Sequence, residues 1–539
     1  EAGGNGTPER HRATHLPMSE SPRATESSES QSQGFDYVIV GAGSAGCVVA
    51  RRLVEDTDAT VLLLEAGGSD EGVASISSPP QWVENIGSPR DWTYFYEPTP
   101  RVDNRALLLS RGKVLGGSGS INALVWARGH RADYDGWAAA GNAGWDWDSV
   151  LPLFKKSEDW EGGASALRGA GGPIRVERAR NLHPVATALI DAGRSYGMPY
   201  LDDVNVPRPE GVGPINMNAR DGVRSSPSRA YLHPVMSHRR LTVLTGAQVV
   251  RLKLSGTRCT GLDYLRDGQT HSVRASREVI LSAGAIDTPR ILLLSGIGPA
   301  EELQRLGIPT VADLPGVGRN LQEHIILAGL CFQAKQPLVP FNNNLEGSTF
   351  YWKSRTGLQI PDLMFVSVQI PYVSAEIAAQ YPPPPNAFCI APGLVRPQSR
   401  GFLRMKTAKP DGPLEIQPNL LEAQADVDAL VAGFELGLDI ASQPAFKELI
   451  ERWVAPPKRL SREERVAFVR RSSSPYFHPV GTCAMGSGRE AVVDARLCVR
   501  GIEGLRVADA SVMPTIPSAG THAPSIMIGE FASRLLVAG

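Results

Sequence analysis

The sequence lacks the features of several specialised protein classes. Its 6 cysteines are widely spaced and form no C-x-x-C pair, which argues against a zinc site or a disulfide-rich scaffold. No stretch of about 18 consecutive apolar residues is present, so a membrane-spanning helix is not expected. Lys+Arg number 55 against 56 Asp+Glu, which leaves no basic excess for nucleic acid. We therefore expect reduced thiols, a cytoplasmic location, no metal and no nucleic-acid partner.

The chain is long and apolar enough for a large buried core. It has 539 residues, 42% of them hydrophobic, and such a length usually forms several domain-sized units. Residues 1–34 differ from the rest because they contain no Val, Ile, Phe, Trp or Tyr. Such a segment cannot bury enough apolar surface to offset the entropy of ordering, so we predict a disordered tail there.

Order is expected to begin with a strand that runs into a helix. Phe35–Val40 is a short apolar run typical of a buried strand. It leads into Gly41-Ala42-Gly43-Ser44-Ala45-Gly46, and the residues from Cys47 to Leu53 favour a helix. We expect Arg51 and Arg52 on the solvent side of that helix.

A second strand completes a pattern that indicates a dinucleotide site. Val61–Leu64 reads as this strand, and Glu65 at its end lies 19 positions after Gly46. Glycines at this spacing permit a tight turn close to a pyrophosphate, which the helix N-terminus stabilises. Glu65 would accept hydrogen bonds from ribose hydroxyls and disfavours a 2′-phosphate. The pattern predicts NAD or FAD without choosing between them.

Four further motifs distinguish between NAD and FAD through a family resemblance. They are Gly112–Asn122 with Trp126, Gly129 and Asp135; Gly284–Pro289 with Ser295–Gly298; Gly316–His324; and His478–Cys483 with Asp509–Ser511 and His522–Pro524. From Phe35 to the C-terminus, the chain resembles the glucose–methanol–choline family of FAD-dependent alcohol oxidoreductases. The resemblance implies an α/β fold: a Rossmann-like FAD-binding domain with an interleaved substrate-binding domain built on an antiparallel sheet.

The same resemblance implies how the chain is divided. Residues 35–328 would form a discontinuous FAD-binding region with insertions of the substrate domain. Residues 329–470 would belong mainly to the substrate-binding domain. Residues 471–539 would return to the FAD-binding domain and carry a catalytic histidine pair.

The resemblance also implies FAD as the cofactor and names the residues that bind it. These are Gly41, Gly43, Ser44, Ala45, Gly46, Glu65, Ala66, Arg111, Gly117, Ser118, Asn122, Ala123, Val249, Ala283, Asp509, Ala510 and Ala523. Several family members attach FAD covalently through a histidine just before the signature asparagine, and this chain has Ile121 there. Ile121 cannot form that bond, so we predict non-covalent FAD.

The implied reaction is oxidation of a small-molecule primary alcohol to the aldehyde. A hydroxyl is far less acidic than an imidazolium, so proton removal and hydride loss are expected to occur together. His478 would take the proton as the hydride passes to flavin N5, and His522 would bind the oxygen as it gains charge. O2 or another electron acceptor would reoxidise the flavin. We interpret His130, His233 and His324 as structural.

The expected substrate pocket is apolar. Phe477, Trp126 and Phe365 are expected to form its walls, and no acidic residue can be placed among them. A cationic alcohol would need an acid or an aromatic cage, and a sugar would need several convergent polar groups. We therefore expect a benzylic or aliphatic primary alcohol rather than choline or glucose.

Other functions remain open to different degrees. The alternative is an FAD-containing hydroxynitrile lyase, because some relatives keep the fold without redox turnover. The light-driven fatty-acid decarboxylase branch carries Cys where this chain has Val395, and it lacks the base at His478. A non-enzymatic flavin-binding protein would not need both His478 and His522. The sequence does not predict the electron acceptor or the oligomeric state.

Overall fold

The structure is a computed structural model that describes residues 34–538. The predicted tail, residues 1–34, lies outside this range except for Gly34, which begins the first strand. The strands are β1 Gly34–Val40, β2 Val61–Leu64, β3 Tyr94–Tyr96, β4 Leu107–Leu109, β5 Glu158–Trp160, β6 Ile174–Arg178, β7 Gly211–Pro214, β8 Asn216–Met217, β9 Ala219–Arg220, β10 Val223–Arg224, β11 Leu241–Leu244, β12 Gln248–Ser255, β13 Arg258–Arg266, β14 Gln269–Leu281, β15 Ile297–Gly298, β16 Ala312–Asp313, β17 Ile325–Leu327, β18 Cys331–Ala334, β19 Ser348–Trp352, β20 Leu363–Val368, β21 Ala387–Leu394, β22 Phe402–Met405, β23 Leu414–Gln417, β24 Ile450–Ala455, β25 Ser473–Pro475 and β26 Leu505–Val507.

Helices connect and cover these strands. The α-helices are α1 Ser44–Asp56, α2 Ala74–Ser77, α3 Ser118–Ile121, α4 Arg131–Ala139, α5 Trp147–Ser157, α6 Pro184–Ser195, α7 Gly284–Leu294, α8 Ala300–Arg305, α9 Ala375–Gln380, α10 Gln424–Ala441, α11 Pro444–Leu449, α12 Arg462–Ser472 and α13 His522–Ala538. Shorter 3₁₀ or π turns span Pro79–Asn85, Pro100–Val102, Ser228–Leu232, His233–Val235 and Ala510–Val512. Within residues 34–538, no helix has the length and apolarity to cross a bilayer.

A largely parallel sheet carries the dinucleotide pattern. Its strand order is β11-β2-β1-β14-β13-β12, and β26 pairs with the end of β14. The pairs β11–β2, β2–β1, β1–β14 and β14–β26 are parallel, whereas β12, β13 and β14 form an antiparallel meander. All of β2 and most of β1 are buried, which is typical of parallel strands covered on both faces. The carboxyl ends of these strands are where such folds bind ligands.

An antiparallel sheet forms the second layer. Its order is β24-β18-β21-β20-β19-β7, and β17 pairs with both β21 and β25. The two sheets confirm the predicted α/β architecture of a Rossmann-like part with an antiparallel part. The second sheet takes β7 and β17 from before residue 328 and β25 from after residue 470. The predicted division of the chain at those residues stays a prediction.

The last helix packs directly on the first one. A Cβ placed on Gly529 of α13 would lie 2.8 Å from Cβ of Val48 in α1, so the two helices are in close backbone contact. Arg52 donates from Nη2 to Glu530 Oε1 at 2.7 Å, and the Glu530 side chain is fully buried. The expectation that Arg52 faces solvent is therefore wrong, because α13 covers that side of α1.

Candidate active site

The turn after β1 brings two glycine-rich loops into backbone contact. Gly41 has φ +94°, and a Cβ on Gly46 would lie 1.9 Å from the Gly41 carbonyl oxygen. A Cβ on Gly117, in the loop before α3, would lie 2.8 Å from Cα of Gly43. Side chains at these positions would push the loops apart. Gly41, Gly43 and Gly117 line one cleft at the carboxyl ends of β1 and β2.

Glu65 closes this turn from the end of β2. Its Oε2 accepts from the Ala42 N–H at 2.9 Å and its Oε1 accepts from the Gly67 N–H at 2.8 Å. Burial raises the pKa of Glu65 to about 7, although both backbone hydrogen bonds favour the charged form. Each carboxylate oxygen can still accept another hydrogen bond. Glu65 is therefore an acceptor for ligand hydroxyls as well as a support for the turn.

The cleft has the set of groups that FAD needs. Its lining includes Gly41, Gly43, Ser44, Ala45, Glu65, Ala66, Arg111, Gly117, Ser118, Val249, Ala283, Asp509 and Ala510. Close backbone suits a pyrophosphate, and a carboxylate suits ribose hydroxyls. The other predicted FAD-binding residues, Gly46, Asn122, Ala123 and Ala523, lie outside this lining. Gly46 packs beneath the turn, and the roles of all these residues toward FAD stay predictions.

Asp509 organises the far side of the cleft. Its Oδ2 accepts from the Gly284 N–H at 2.9 Å and from Thr288 Oγ1 at 2.6 Å, while Oδ1 accepts from the Ser511 N–H at 2.8 Å. Burial raises the pKa of Asp509 despite these donors. The carboxylate is therefore occupied within the protein. What it leaves for a ligand is the backbone of the Ala283 and Ala510 turns.

Arg111 connects the cleft to the histidine that was predicted as the base. Its Nη1 donates to the Phe477 carbonyl at 2.5 Å, one residue before His478. Phe477 has φ +62°, which is rare for a bulky residue. Strain of this kind persists only where surrounding contacts impose it. Arg111 is one such contact, and it fixes the carbonyl direction just before the imidazole.

The side chain of His478 meets two other rings. Its Nδ1 lies 3.0 Å from Nδ1 of His324, and its imidazole stacks on the Tyr476 ring with centroids 5.0 Å apart. Burial lowers the pKa of His478 well below its usual range, and the nearby His324 and Arg111 lower it further. The imidazole is therefore neutral near pH 7. Among the described residues, no hydrogen bond occupies its Nε2.

His324 is a site residue that the sequence analysis missed. It was interpreted as structural, yet it touches the predicted base, and burial lowers its pKa to about 3. The neighbouring Glu323 accepts from the His478 N–H at 2.7 Å and from the Tyr96 hydroxyl at 2.6 Å. The position of His324 within the Gly316–His324 motif was the available signal. Glu323 and His324 thus hold the backbone and the ring of His478.

His522, the second predicted catalytic histidine, is the first residue of helix α13. Its Nδ1 lies 3.1 Å from Ser44 Oγ, which lines the cleft, and its Nε2 is buried without a partner among residues 34–538. Burial, together with the charge of Arg224, lowers the pKa of His522 to about 3. A Cβ on Gly520 would lie 3.6 Å from His478 Nε2. The segment that leads into His522 therefore passes directly beside the His478 imidazole.

A buried acidic residue, Glu346, acts electrostatically on the ring that stacks on His478, whereas no acidic residue was expected around the pocket. Glu346 is 7% exposed, and burial raises its pKa to about 8. Its charge also raises the pKa values of three tyrosines beyond the effect of their burial: Tyr351, which is buried, and Tyr372 and Tyr476, which are partly buried. Tyr476 is the ring that stacks on His478. The Glu346 carboxyl group accepts from Asn344 Nδ2 at 3.2 Å, and its charge acts on the ring that stacks on the predicted base.

The expected pocket walls are distributed differently. Trp126 lies edge-on to His522 with ring centroids 5.7 Å apart, as a wall residue should. Phe365 instead stacks on Phe350 at 4.2 Å, and a Cβ on Gly437 of α10 would lie 3.5 Å from it. The preceding residue, Met364, packs with Tyr351 and Tyr476 on the opposite face of β20. The placement of Phe365 in the pocket is wrong because strand side chains alternate.

The fold and the cleft define a dinucleotide-binding oxidoreductase with two neutral imidazoles beside the cofactor site. Residues 35–326 and 397–529 match the two family profiles described as GMC oxidoreductase. The chain belongs to the GMC oxidoreductase family. It is an FAD-dependent enzyme that oxidises alcohols.

Relatives and solved structures cover nearly all of the chain. The chain is 38% identical to mitochondrial choline dehydrogenase of Mus musculus, over 93% of this chain and 89% of that protein. It is 37% identical to oxygen-dependent choline dehydrogenase of Chromohalobacter salexigens, over 93% and 94%. The crystal structure of pyridoxine 4-oxidase from Mesorbium loti is similar, with TM-score 0.89, 35% identity and coverage of 93% and 98%.

Proposed function

We propose that this enzyme oxidises a primary alcohol whose other end carries an alkylammonium group. The observation that carries the proposal is Glu346, a buried carboxyl group whose charge reaches three tyrosines, one of them stacked on His478. A carboxylate with aromatic faces is the arrangement that binds quaternary ammonium ions. The similarity to choline dehydrogenases supports the same class of substrate.

His478 is the proposed base, and its neighbours decide which nitrogen is basic. The carbonyls of Val395 and Pro517 lie close enough to His324 to raise its pKa, although neither meets hydrogen-bond geometry with Nε2. Carbonyls only accept, so they favour a proton on His324 Nε2 and leave its Nδ1 as an acceptor. The Nδ1–H of His478 then donates to His324. This leaves His478 Nε2 unprotonated and able to take the hydroxyl proton.

His522 is the proposed partner for the alcohol oxygen. If the Ser44 hydroxyl donates to His522 Nδ1, the ring proton lies on Nε2, the nitrogen without a partner. An N–H in that buried position stabilises negative charge as it develops on the oxygen. FAD, when bound, supplies the hydride acceptor, and O2 or another acceptor removes the electrons. The division of labour is a base at His478 and a donor at His522.

Glu346 would bind the charged end of the substrate. With a pKa of about 8, its carboxyl group is mostly protonated at pH 7 while the pocket holds no cation. An ammonium group nearby favours the ionised form, so binding is expected to release a proton below about pH 8. The rings of Tyr351 and Tyr476 would contact the alkyl groups. Oxidation would then occur at the end nearest His478.

A benzylic or aliphatic primary alcohol is the second candidate. It is favoured by the raised pKa of Glu346, because a neutral carboxyl group among tyrosines accommodates an apolar ligand without an uncompensated charge. Under this alternative, Glu346 is a hydrogen-bonding residue and needs no cation. The two candidates therefore differ in what happens when the carboxyl group is removed.

Anaerobic stopped-flow reduction of the flavin by choline and by benzyl alcohol tests the choice. Under the proposal, Glu346→Gln lowers the second-order rate constant for choline at least about tenfold and changes that for benzyl alcohol by less than about threefold. Glu422→Gln, an exposed acid, is the matched control. Faster reduction of the wild type by benzyl alcohol, with equal losses for both substrates in the variant, supports the second candidate instead.

The lyase alternative is tested in the same apparatus. A hydroxynitrile lyase would cleave mandelonitrile to benzaldehyde and cyanide while the flavin stays oxidised. We expect the reverse pattern, with flavin bleaching by an alcohol and no cleavage above a buffer blank. Cleavage without bleaching by any primary alcohol would overturn the proposed function.

A further inference from the structure

Arg224 is a buried cation without an ionic partner. It is 1% exposed, and no carboxylate in the described residues lies within 4.0 Å of its guanidinium. Its hydrogen bonds go to neutral oxygens: the Ile76 carbonyl at 2.7 Å, the Asn122 carbonyl at 2.7 Å, Asn122 Oδ1 at 2.6 Å and the Gly119 carbonyl at 3.4 Å. The protein has placed a positive charge in its interior and supplied only dipoles to balance it.

A charge in this situation is costly unless something the protein binds compensates it. Removing an ion from water without a counter-ion destabilises a fold. Burial lowers the pKa of Arg224 to about 9, which still leaves the guanidinium charged at pH 7. Its field lowers the pKa of His522 as well. The missing negative charge is therefore expected close to the histidine pair.

The geometry of Asn122 shows where Arg224 acts. Asn122 Oδ1 accepts from both Arg224 Nη1 at 2.6 Å and the Leu124 N–H at 3.0 Å. This fixes the amide orientation, so Nδ2 points away from both donors, and within residues 34–538 it has no hydrogen-bond acceptor. Asn122 directly follows α3, whose first residue, Ser118, lines the cleft. The Arg224 guanidinium therefore binds the Asn122 amide oxygen, and the Nδ2–H groups of Asn122 remain available to a ligand.

We propose that Arg224 is a positioning residue that acts through Asn122 and stabilises the negative charge that the flavin gains on reduction. The inference rests on the proposed function for its chemistry. With FAD bound, the cofactor would accept a hydride from the alcohol carbon while His478 takes the hydroxyl proton. The carbonyl product would leave neutral, so one additional negative charge would remain at the cofactor site. We expect the Asn122 amide to face this charge, because Asn122 follows α3, which begins at the cleft.

Three substitutions separate the charge of Arg224 from its role in packing. Arg224→Gln removes the charge and keeps an amide in its place. Arg224→Lys keeps the charge but loses the planar fork that binds both Asn122 oxygens. Asn122→Asp leaves the guanidinium in place and gives it a counter-ion of nearly the same shape as the native amide. Arg239→Gln, at an exposed arginine, is the control for a change in net charge.

The measurements need no alcohol. Sulfite adds to oxidised flavin as an anion, so its dissociation constant, read from the flavin absorbance of the holoenzyme, reports local positive charge. The two-electron midpoint potential, obtained by equilibration with a reference dye, reports stabilisation of the reduced form. Both give a result even if every alcohol tested fails as a substrate. Failure of the proposed function is thereby distinguished from failure of this inference.

We expect Arg224→Gln and Asn122→Asp each to weaken sulfite binding at least about tenfold and to lower the reduction equilibrium constant by a similar factor, about 30 mV for a two-electron couple. Arg224→Lys should fall between these variants and the wild type, and Arg239→Gln should match the wild type. If Arg224→Gln fails to fold or retain FAD, Asn122→Asp decides. Asn122→Asp within about twofold of the wild type in both measurements would overturn the inference.

Discussion

The imidazoles of His324 and His478 lie Nδ1 to Nδ1, 3.0 Å apart, across 154 positions of sequence. One of these nitrogens must donate and the other accept, so the protonation of one ring determines that of the other. Burial lowers the pKa values of both rings, which keeps the pair neutral at the pH at which enzymes usually work. With the proton arrangement proposed above, the pair is one unit whose basic nitrogen is Nε2 of His478.

The first prediction concerns this contact. His324→Leu removes the acceptor for His478 Nδ1–H, so the basic nitrogen is no longer fixed, and we expect flavin reduction by an alcohol to slow about 10²-fold. His324→Asn places an amide oxygen close to the lost Nδ1 and should recover part of the rate. The measurement is anaerobic stopped-flow reduction at equal FAD content. A His324→Leu rate within about threefold of the wild type would show that the contact does not matter.

The roles proposed for His478 and His522 predict which substitution is more damaging. His478→Ala should slow flavin reduction about 10²–10⁴-fold, because the proton acceptor is lost while FAD stays bound. His522→Ala should slow it by less, because only a donor to developing charge is lost. His271→Ala, an exposed position on β14, is the control. A His522 variant more impaired than the His478 variant would reverse the assignment.

The raised pKa of Glu346 predicts a pH dependence for a cationic substrate. The free enzyme must carry an ionised Glu346 to bind an ammonium group, so kcat/KM for choline should rise with pH to a plateau, with a midpoint near 8. Burial and the nearby His324 and Arg111 lower the pKa of His478, so any effect of its titration is expected at lower pH than that of Glu346. In Glu346→Gln, kcat/KM for choline should no longer rise with pH and should stay constant across this range. A midpoint that persists in the variant would contradict the assignment.

The presence of Ile121 predicts that FAD is released when the protein is denatured. Denaturation with acid or heat should release the yellow colour into the supernatant, because Ile121 stands where covalent attachment would need a histidine. Absorbance of the supernatant and of the washed precipitate measures the distribution. Flavin that stays on the precipitated polypeptide would contradict the prediction of non-covalent FAD.

The predictions from local sequence were accurate where the chemistry itself is local. The strands predicted at residues 35–40 and 61–64 agree with β1 and β2 to within one residue. Glu65 forms its contacts with Ala42 and Gly67, and those contacts depend on one strand–turn–helix unit. In such a unit, spacing along the chain determines spacing in the fold.

The errors arose where partners come from distant parts of the chain. Nothing near His324 in sequence shows that it meets His478, and nothing near Glu346 shows that its charge reaches Tyr476. Phe365 was assigned to the pocket without the strand register that turns it toward α10 instead. Sheet pairing supplies these relations, and the stretch of 331–395 has no motif that would indicate its register.

The close contact between α1 and α13 has a consequence for synthesis of the protein. Helix α1, which follows the cofactor turn, remains uncovered on one side until residues beyond His522 have been translated, and Glu530 then neutralises Arg52. The parallel sheet also lacks β26 until that stage. Nascent domains fold as units, and here the unit includes α1 and α13, which lie far apart among the described residues. Stable capture of FAD is therefore expected only after α13 has been translated.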